Sequence, residues 1–85
     1  MDLIIRKYGG TSVGSIEKIK KIAQKTKDDI NNNKKILIVV SAMGNSTDEL
    51  LEKANQISKS PNQRELDLLM SSGEIISSTL LSMAL

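Results

Sequence analysis

The chain has 85 residues, a net charge of +2 and 26% charged residues, which is the composition of one small soluble domain. It contains no cysteine and no histidine, so disulfides, thiol or imidazole catalysis and zinc sites of the usual ligand types are excluded. Any chemistry must use lysines, carboxylates, hydroxyls and backbone amides.

The positive charge is carried mainly by lysines between residues 18 and 35, where no arginine or aromatic side chain is interleaved for base contact. We interpret them as a solvated helix face and loop. No apolar run approaches membrane-spanning length, and the start lacks the plan of a signal peptide. We therefore expect a cytoplasmic protein with no nucleic-acid and no membrane partner.

The N-terminal part of the chain predicts a strand followed by a helix. Residues 3–8 open with a short apolar run and stop at Gly9 and Gly10, which is typical of a buried strand. Apolar residues then recur at helical spacing over residues 13–30. Ser15 is a suitable N-cap, and an earlier start at Thr11 or Ser12 stays open.

Residues 35–41, KILIVVS, predict a second strand. Continuous β-branched runs of this kind are typical of strands that are buried on both faces in a parallel sheet. Strand, helix and strand within about forty residues form a βαβ unit. The predicted fold class is therefore α/β, with a parallel βαβ core and flanking helices.

Two further helices are predicted by their start signals. Ser46 and Glu49 form an S-x-x-E capping box. Ser60 is the predicted N-cap of the next helix, with Pro61 at its first position. Gly73 is expected to interrupt this helix, after which a helical pattern resumes and continues to the last residue.

The last stretch, residues 75–85, is mostly apolar and has no residue that closes a helix. Two strands are also too few for a stable sheet by themselves. We therefore expect that the chain is cut from something longer. As an isolated piece it should expose apolar surface and form oligomers or exchange strands.

The first candidate site is the glycine-rich segment at residues 7–14, KYGGTSVG, between a strand and a helix. Glycines there allow backbone N–H groups to approach phosphate oxygens, and the following helix adds the positive end of its dipole. Lys7 lies at the carboxyl end of its strand, where α/β sheets bind ligands. The lysine precedes the glycines, so the segment is not a P-loop. A tight strand-to-helix turn explains the same residues and stays open as an alternative.

The second candidate is the segment at residues 40–48, VSAMGNSTD, which also follows a strand. If the sheet is parallel, Ser41 and Thr47 lie near Lys7 and Gly10, and their hydroxyls suit a carboxylate or phosphate. Helix capping explains Ser46 well but Ser41 poorly.

The third candidate is Glu74, which lies in Ser72-Gly73-Glu74 at the start of an apolar helical stretch. It could bind a substrate ammonium group. It could instead be the first-turn acid of a restarted helix, which the residues alone favour.

The three segments together, KYGGTSVGS, VVSAMGNSTDEL and SGE-x-x-S, resemble the aspartate kinases of the amino acid kinase family in order and spacing. KYGGTSVG is similar to the family's N-terminal signature K-[FY]-G-G-T-S. The resemblance implies that residues 1–85 are the N-terminal segment of the catalytic domain, which is the first portion of a three-layer αβα amino acid kinase domain. The nucleotide-binding half and the regulatory ACT domains would be absent from this segment.

The resemblance also implies roles for residues. Lys7 would be catalytic and contact the transferred phosphate of ATP, with Gly9, Gly10 and Ser12 in the same phosphate-binding site. The aspartate-binding residues would be Ser41, Thr47 and Glu74, with Glu74 receiving the α-ammonium group. Mg²⁺ would accompany ATP as cofactor and would be held mainly by phosphates and by residues outside this segment, so no metal ligand is assigned here.

The implied reaction is ATP plus L-aspartate giving 4-phospho-L-aspartate and ADP, the first step of the lysine, threonine and methionine pathway. We expect a homo-oligomer because of the apolar surface, and the 85 residues alone should have negligible kinase activity. Two alternatives stay open: a member of the family with another carboxylate or a carbamate as substrate, and a non-catalytic interaction module.

Overall fold

A computed structural model describes residues 2–85. The elements in chain order are β1 (Asp2–Tyr8), α1 (Ile16–Asn31), β2 (Lys34–Val40), α2 (Ser46–Ile57) and α3 (Gln63–Ala84). The predicted α/β class is confirmed, and each strand begins one residue before its prediction.

The two strands form a parallel two-stranded sheet in which Asp2 pairs with Lys34 and Tyr8 with Val40. Because the strands are parallel and adjacent, α1 must return the chain from the carboxyl end of β1 to the start of β2. The predicted βαβ unit is thus confirmed, and both strands end at one edge of the sheet.

The two faces of the sheet differ in burial, which corrects the prediction that both are buried. Burial alternates along each strand, because successive side chains point to opposite faces. The inner face packs on the helices. The outer face is aliphatic and open, with Leu3 63%, Ile5 64%, Leu37 51% and Val39 48% exposed. The expected exposed apolar surface is therefore confirmed, while the oligomers expected from it stay a prediction.

The core lies between the inner face of the sheet and the helices. It is built from small and aliphatic side chains, because Tyr8 is the only aromatic residue in the sequence. Its buried members are Val13, Ile19, Ile22, Ala23 and Leu81, and Tyr8, Ile38, Val40, Met43 and Leu80 pack against them.

Helix α1 begins as predicted. The Ser15 side chain accepts a hydrogen bond from the backbone N–H of Lys18 at 3.2 Å, which satisfies one of the free amides of the first turn. The chain leaves the helix through Asn33, whose φ of 63° lies in the left-handed region that asparagine tolerates.

One ion pair joins β1 to α1 beneath the sheet. The Arg6 guanidinium contacts the carboxylate of Asp29, which is 4% exposed, and Lys25 Nζ lies 3.6 Å from the same carboxylate. The hydrogen bond from Arg6 lowers the pKa of Asp29 below its usual value, and the same bond raises the pKa of Arg6. The sequence pattern had assigned the charged residues of α1 to solvent, so this buried carboxylate was missed.

The predicted start signals of α2 and α3 are wrong in detail. Ser46 is the first helical residue of α2, and its N-cap, Asn45, makes no side-chain capping hydrogen bond. The N-cap of α3 is Asn62, whose side chain accepts from the Glu65 N–H at 3.2 Å, so Ser60 and Pro61 precede the helix. Asparagine caps as well as serine does, which makes such shifts hard to predict.

Gly73 does not interrupt α3, which is one helix of 22 residues. A helix-interior glycine costs about 1 kcal/mol relative to alanine, so it persists where packing requires it. Among residues 2–85, no helix combines the length and apolar character that a bilayer-spanning segment needs.

Candidate functional site

Two loops meet at the carboxyl edge of the sheet. The glycine loop (residues 9–14) connects β1 to α1, and the second loop (residues 41–45) connects β2 to α2. Both follow directly from the strands, so the parallel register brings them together. In α/β sheets this edge is where ligands bind.

Backbone hydrogen bonds join the two loops. The N–H of Ser41 donates to the carbonyl of Tyr8 at 3.1 Å, which extends the ladder beyond the strands. The N–H of Gly44 donates to the carbonyl of Gly10 at 2.8 Å. These bonds hold the tips of the two loops in direct contact.

The contact requires glycine at position 10. A Cβ built there would lie 2.8 Å from the carbonyl oxygen of Gly44 and 3.0 Å from that of Ala42. Both atoms belong to the backbone of the second loop, so a side chain could be accommodated only by moving the loops apart. Gly44 has a φ of 51°, which glycine adopts without strain.

The glycine loop is folded on itself by two turns. Ser12 N–H donates to the Gly9 carbonyl at 3.1 Å, and Gly14 N–H donates to the Thr11 carbonyl at 3.3 Å. Val13 anchors the loop to the core and is 1% exposed. The N–H groups of Gly10 and Thr11 make no backbone hydrogen bond within residues 2–85, so they are available to a ligand.

Helix α3 is brought to the second loop by Gly73. A Cβ at this position would lie 2.8 Å from the Cβ of Ala42, so only a glycine permits so close an approach. Glu74 follows directly and is exposed. The glycine that had been interpreted as a helix break therefore sets the distance between the helix and the loop.

The structure places the seven predicted site residues around this edge. Lys7 is exposed in β1 beside Val39, Gly9 and Gly10 open the glycine loop, and Ser41 is partly buried at the end of β2. The exposed residues Ser12, Thr47 and Glu74 lie respectively in the glycine loop, in the first turn of α2 and in α3.

The two loops are in contact, but the charged and hydroxyl side chains predicted for the site are not in contact with one another. No hydrogen bond or ion pair within the described residues joins the side chains of Lys7, Thr47 and Glu74 to one another. These side chains are therefore not held by one another within the described residues.

Two contributors to the site were missed in the sequence. Ala42 is 5% exposed and receives α3, although alanine in a turn gives no signal of this role. Lys18 was counted with the solvated lysines, yet its Nζ donates to the Thr11 carbonyl at 2.8 Å. Its position one turn after the Ser15 cap was the available signal.

No group of three or more His, Cys, Asp or Glu side chains within residues 2–85 could hold a metal ion. The residues of this segment therefore do not fit a protein-held Mg²⁺ site by themselves.

Comparison with known proteins gives the class of the chain. The model of the amino acid kinase family matches residues 2–85. The chain belongs to the amino acid kinase family.

The similar proteins are aspartate kinases, which confirms the resemblance inferred from the motifs. The chain is 48% identical over 85 residues to the aspartokinase of Geobacillus stearothermophilus, covering 100% of this chain and 21% of that protein. It is 49% identical over 85 residues to aspartokinase 2 of Bacillus subtilis (strain 168), with the same coverage. The chain thus spans about a fifth of the length of these curated relatives.

The fold is similar to that of a solved structure, the aspartate kinase from Synechocystis. The TM-score is 0.92 at 50% sequence identity, covering 96% of this chain and 14% of that chain. The parallel sheet with its helices is therefore the arrangement that a stretch of this aspartate kinase adopts.

Proposed function

We propose that the chain is the N-terminal segment of an aspartate kinase. The complete enzyme transfers the γ-phosphoryl group of ATP to the side-chain carboxylate of L-aspartate, giving 4-phospho-L-aspartate and ADP, as the first step toward lysine, threonine and methionine. The observation that carries the proposal is the direct contact of the two loops at the carboxyl ends of parallel strands, with the Gly44 N–H bonded to the Gly10 carbonyl at 2.8 Å.

The glycine loop is the proposed phosphate site. The N–H groups of Gly9 and Gly10 would donate to phosphate oxygens, and the Ser12 hydroxyl would add a further donor. Lys7 would neutralise charge on the transferred phosphoryl group, since it is exposed at the end of β1 and has no ion-pair partner within residues 2–85.

The second loop and α3 form the proposed aspartate site. Ser41 and Thr47 would donate hydroxyl hydrogen bonds to substrate carboxylate groups, and Glu74 would accept from the α-ammonium group. The close approach of Gly73 to Ala42 supports this assignment, because it brings the start of the Glu74 turn next to the loop that carries Ser41.

The chemistry suits a site without histidine. The attacking group is a carboxylate that is already ionised at neutral pH, so no general base is needed. The carboxylate oxygen forms a bond to the γ-phosphorus, and the bond from that phosphorus to the bridging oxygen of ADP breaks. Catalysis then depends on holding two anions in line and neutralising their charge.

The 85 residues are a part of the catalytic domain in this proposal. The nucleotide base pocket, the Mg²⁺-holding residues and the regulatory domains would lie in other segments. The exposed aliphatic outer face of the sheet supports this division, because a complete domain buries such a face.

The test is aspartate-dependent kinase activity of the full-length gene product. Hydroxylamine traps an acyl phosphate as a hydroxamate, so hydroxamate formation from ATP and L-aspartate reports the reaction. A panel of other carboxylates and carbamate tests the alternative substrates. Lys7→Ala should lower kcat on the order of 10²–10³-fold.

Lys35→Ala is the matched control, because Lys35 is exposed on the same sheet face at the opposite end of the strands. We expect it to keep wild-type activity. Absence of hydroxamate with aspartate, or equal loss in both variants, would overturn the proposal.

A further inference from the structure

Lys18 is held in an unusual way for an exposed helix lysine. Its backbone N–H is bound by the Ser15 Oγ at 3.2 Å, and its side chain folds back so that Nζ donates to the Thr11 carbonyl at 2.8 Å. The residue therefore links the first turn of α1 to the middle of the glycine loop.

The Thr11 carbonyl accepts two hydrogen bonds. It accepts from the Gly14 N–H at 3.3 Å as well as from Lys18 Nζ at 2.8 Å, so the shorter of its two bonds is the one to the ammonium group. Because hydrogen bonds from ionised donors are stronger than neutral ones, Lys18 contributes more than the turn itself to holding this carbonyl.

The orientation of this carbonyl is linked to that of the Gly10 amide through two peptide units. A peptide unit is planar with its C=O and N–H on opposite sides, so fixing the carbonyls of the loop fixes the directions of its N–H groups. The Thr11 carbonyl shares its peptide unit with the Ser12 N–H, which donates to the Gly9 carbonyl at 3.1 Å, and the Gly9 carbonyl shares its peptide unit with the Gly10 N–H. The Gly10 N–H makes no backbone hydrogen bond within residues 2–85, so the bond from Lys18 to the Thr11 carbonyl helps to orient this amide through the two peptide units.

We propose that Lys18 is a positioning residue of the phosphate site: its ammonium group clamps the Thr11 carbonyl and thereby holds the glycine-loop amides ready for phosphate oxygens. This inference rests on the proposed phosphate role of the loop. Lys18 would act on the bound phosphate only through the loop, because its ammonium group donates to the backbone carbonyl of Thr11.

The variant Lys18→Met removes the donor but keeps most of the aliphatic stem. Lys21→Met is the matched control, because Lys21 lies on the same helix and borders, together with Lys18, a groove beside Thr11 and Ser12. The Lys21 side chain makes no hydrogen bond within the described residues. The two variants remove the same charge from one surface, and only the first frees the carbonyl. Lys18→Arg keeps a cationic donor and should restore the clamp.

The first readout is hydrogen exchange of the full-length gene product without ligand, followed on peptides that cover residues 9–14. We expect faster exchange in Lys18→Met, and wild-type exchange in Lys21→Met and Lys18→Arg. Unchanged exchange in Lys18→Met, or an equal increase in Lys21→Met, would overturn the inference. This readout needs no catalysis, so it decides on the clamp even if the kinase proposal fails.

The second readout is steady-state kinetics. We expect the KM for ATP to rise about three- to tenfold in Lys18→Met, as for the loss of one partly exposed charge-assisted hydrogen bond, with the KM for aspartate unchanged. Lys18→Arg should restore the KM for ATP. Wild-type KM for ATP in an active Lys18→Met enzyme would refute a role in phosphate binding, whereas an inactive wild-type enzyme would refute the proposed function itself.

Discussion

Gly10 is the residue at which the contact between the two loops can be tested most sharply. The change is Gly10→Ala, which adds one methyl group at the closest approach of the loops. The new Cβ would lie 2.8 Å from the Gly44 carbonyl oxygen, whereas ordinary contact begins at 3.4 Å. The loops must therefore separate by 3.4 minus 2.8, or 0.6 Å, at this point.

The cost follows from what must move. Both neighbours are backbone oxygens, so no side-chain rotation relieves the overlap, and overpacking of this kind costs about 1–3 kcal/mol. The 2.8 Å hydrogen bond from the Gly44 N–H would also lengthen. Reduced freedom of the unfolded chain returns about 0.4–1 kcal/mol, so the midpoints of the two ranges leave a net destabilisation of about 1.3 kcal/mol.

Gly9→Ala is the matched control for stability. No atom lies within 4 Å of a Cβ built at Gly9, and its φ is not positive. We therefore expect Gly9→Ala to change the free energy of unfolding by less than about 1 kcal/mol, in the stabilising direction.

The assay is thermal unfolding of the full-length protein, with Tm compared among wild type, Gly9→Ala and Gly10→Ala. We expect Gly10→Ala alone to unfold several degrees earlier. If it unfolds with the wild type, or if Gly9→Ala is equally destabilised, the loops do not meet as described.

Three further predictions concern the packing of α3, the buried ion pair and the turn after α1. Gly73→Ala should be destabilising, because a clash of about 1–3 kcal/mol with the Ala42 Cβ exceeds a helix-propensity gain of about 1 kcal/mol. Adding Ala42→Gly should restore Tm. A Tm above wild type in the single variant would contradict this contact. Asp29→Asn should lower Tm at neutral pH, where Asp28→Asn, at an exposed neighbour, should not. The pKa of Asp29 is lower in the folded protein than in the unfolded chain. The carboxylate therefore stabilises the fold above the unfolded pKa, and this stabilisation is lost as pH falls through the folded pKa. The difference in Tm between wild type and Asp29→Asn should accordingly shrink when unfolding is measured below pH 3.8. Asn33→Ala should lower the free energy of unfolding by about 1 kcal/mol, because alanine is strained at the φ of 63° that position 33 adopts. Asn33→Gly should not lower it. Equal stability of the two variants in thermal unfolding would exclude this strain.

The elements of the fold could be predicted well because their patterns are local. Period-two and helical spacings depend on residues near in sequence, and the Ser15 cap lies within three residues of its partner. The parallel pairing of the two strands could also be predicted, because a strand, a helix and a strand in succession have few ways to pack.

The faces of the sheet could not be read from the same pattern. Leu37 and Ile38 are both aliphatic, yet only Ile38 packs against the core. A strand sequence with aliphatic side chains on both faces is the same whether or not the elements that pack on each face are among the residues at hand. The pattern therefore does not tell which of the two faces is covered within residues 2–85.

The site was predictable as a set of segments but less so as a set of contacts. Hydroxyls and glycines after two strands indicated the edge where a ligand binds. The closeness of Gly73 to Ala42 depends on two residues that are 31 positions apart, as 73 minus 42 gives, and no local rule connects them. The long reach of Lys18 across seven positions was hidden for a different reason, because most exposed helix lysines are solvated.

The most direct test of the proposed ligand site is the change in hydrogen exchange of the full-length protein on adding ATP and L-aspartate together. We expect peptides covering residues 9–14 and 41–47 both to gain protection, since one set of ligands would lie against both loops. Protection of neither loop, or protection confined to peptides at the opposite edge of the sheet, would contradict a common anion-binding pocket.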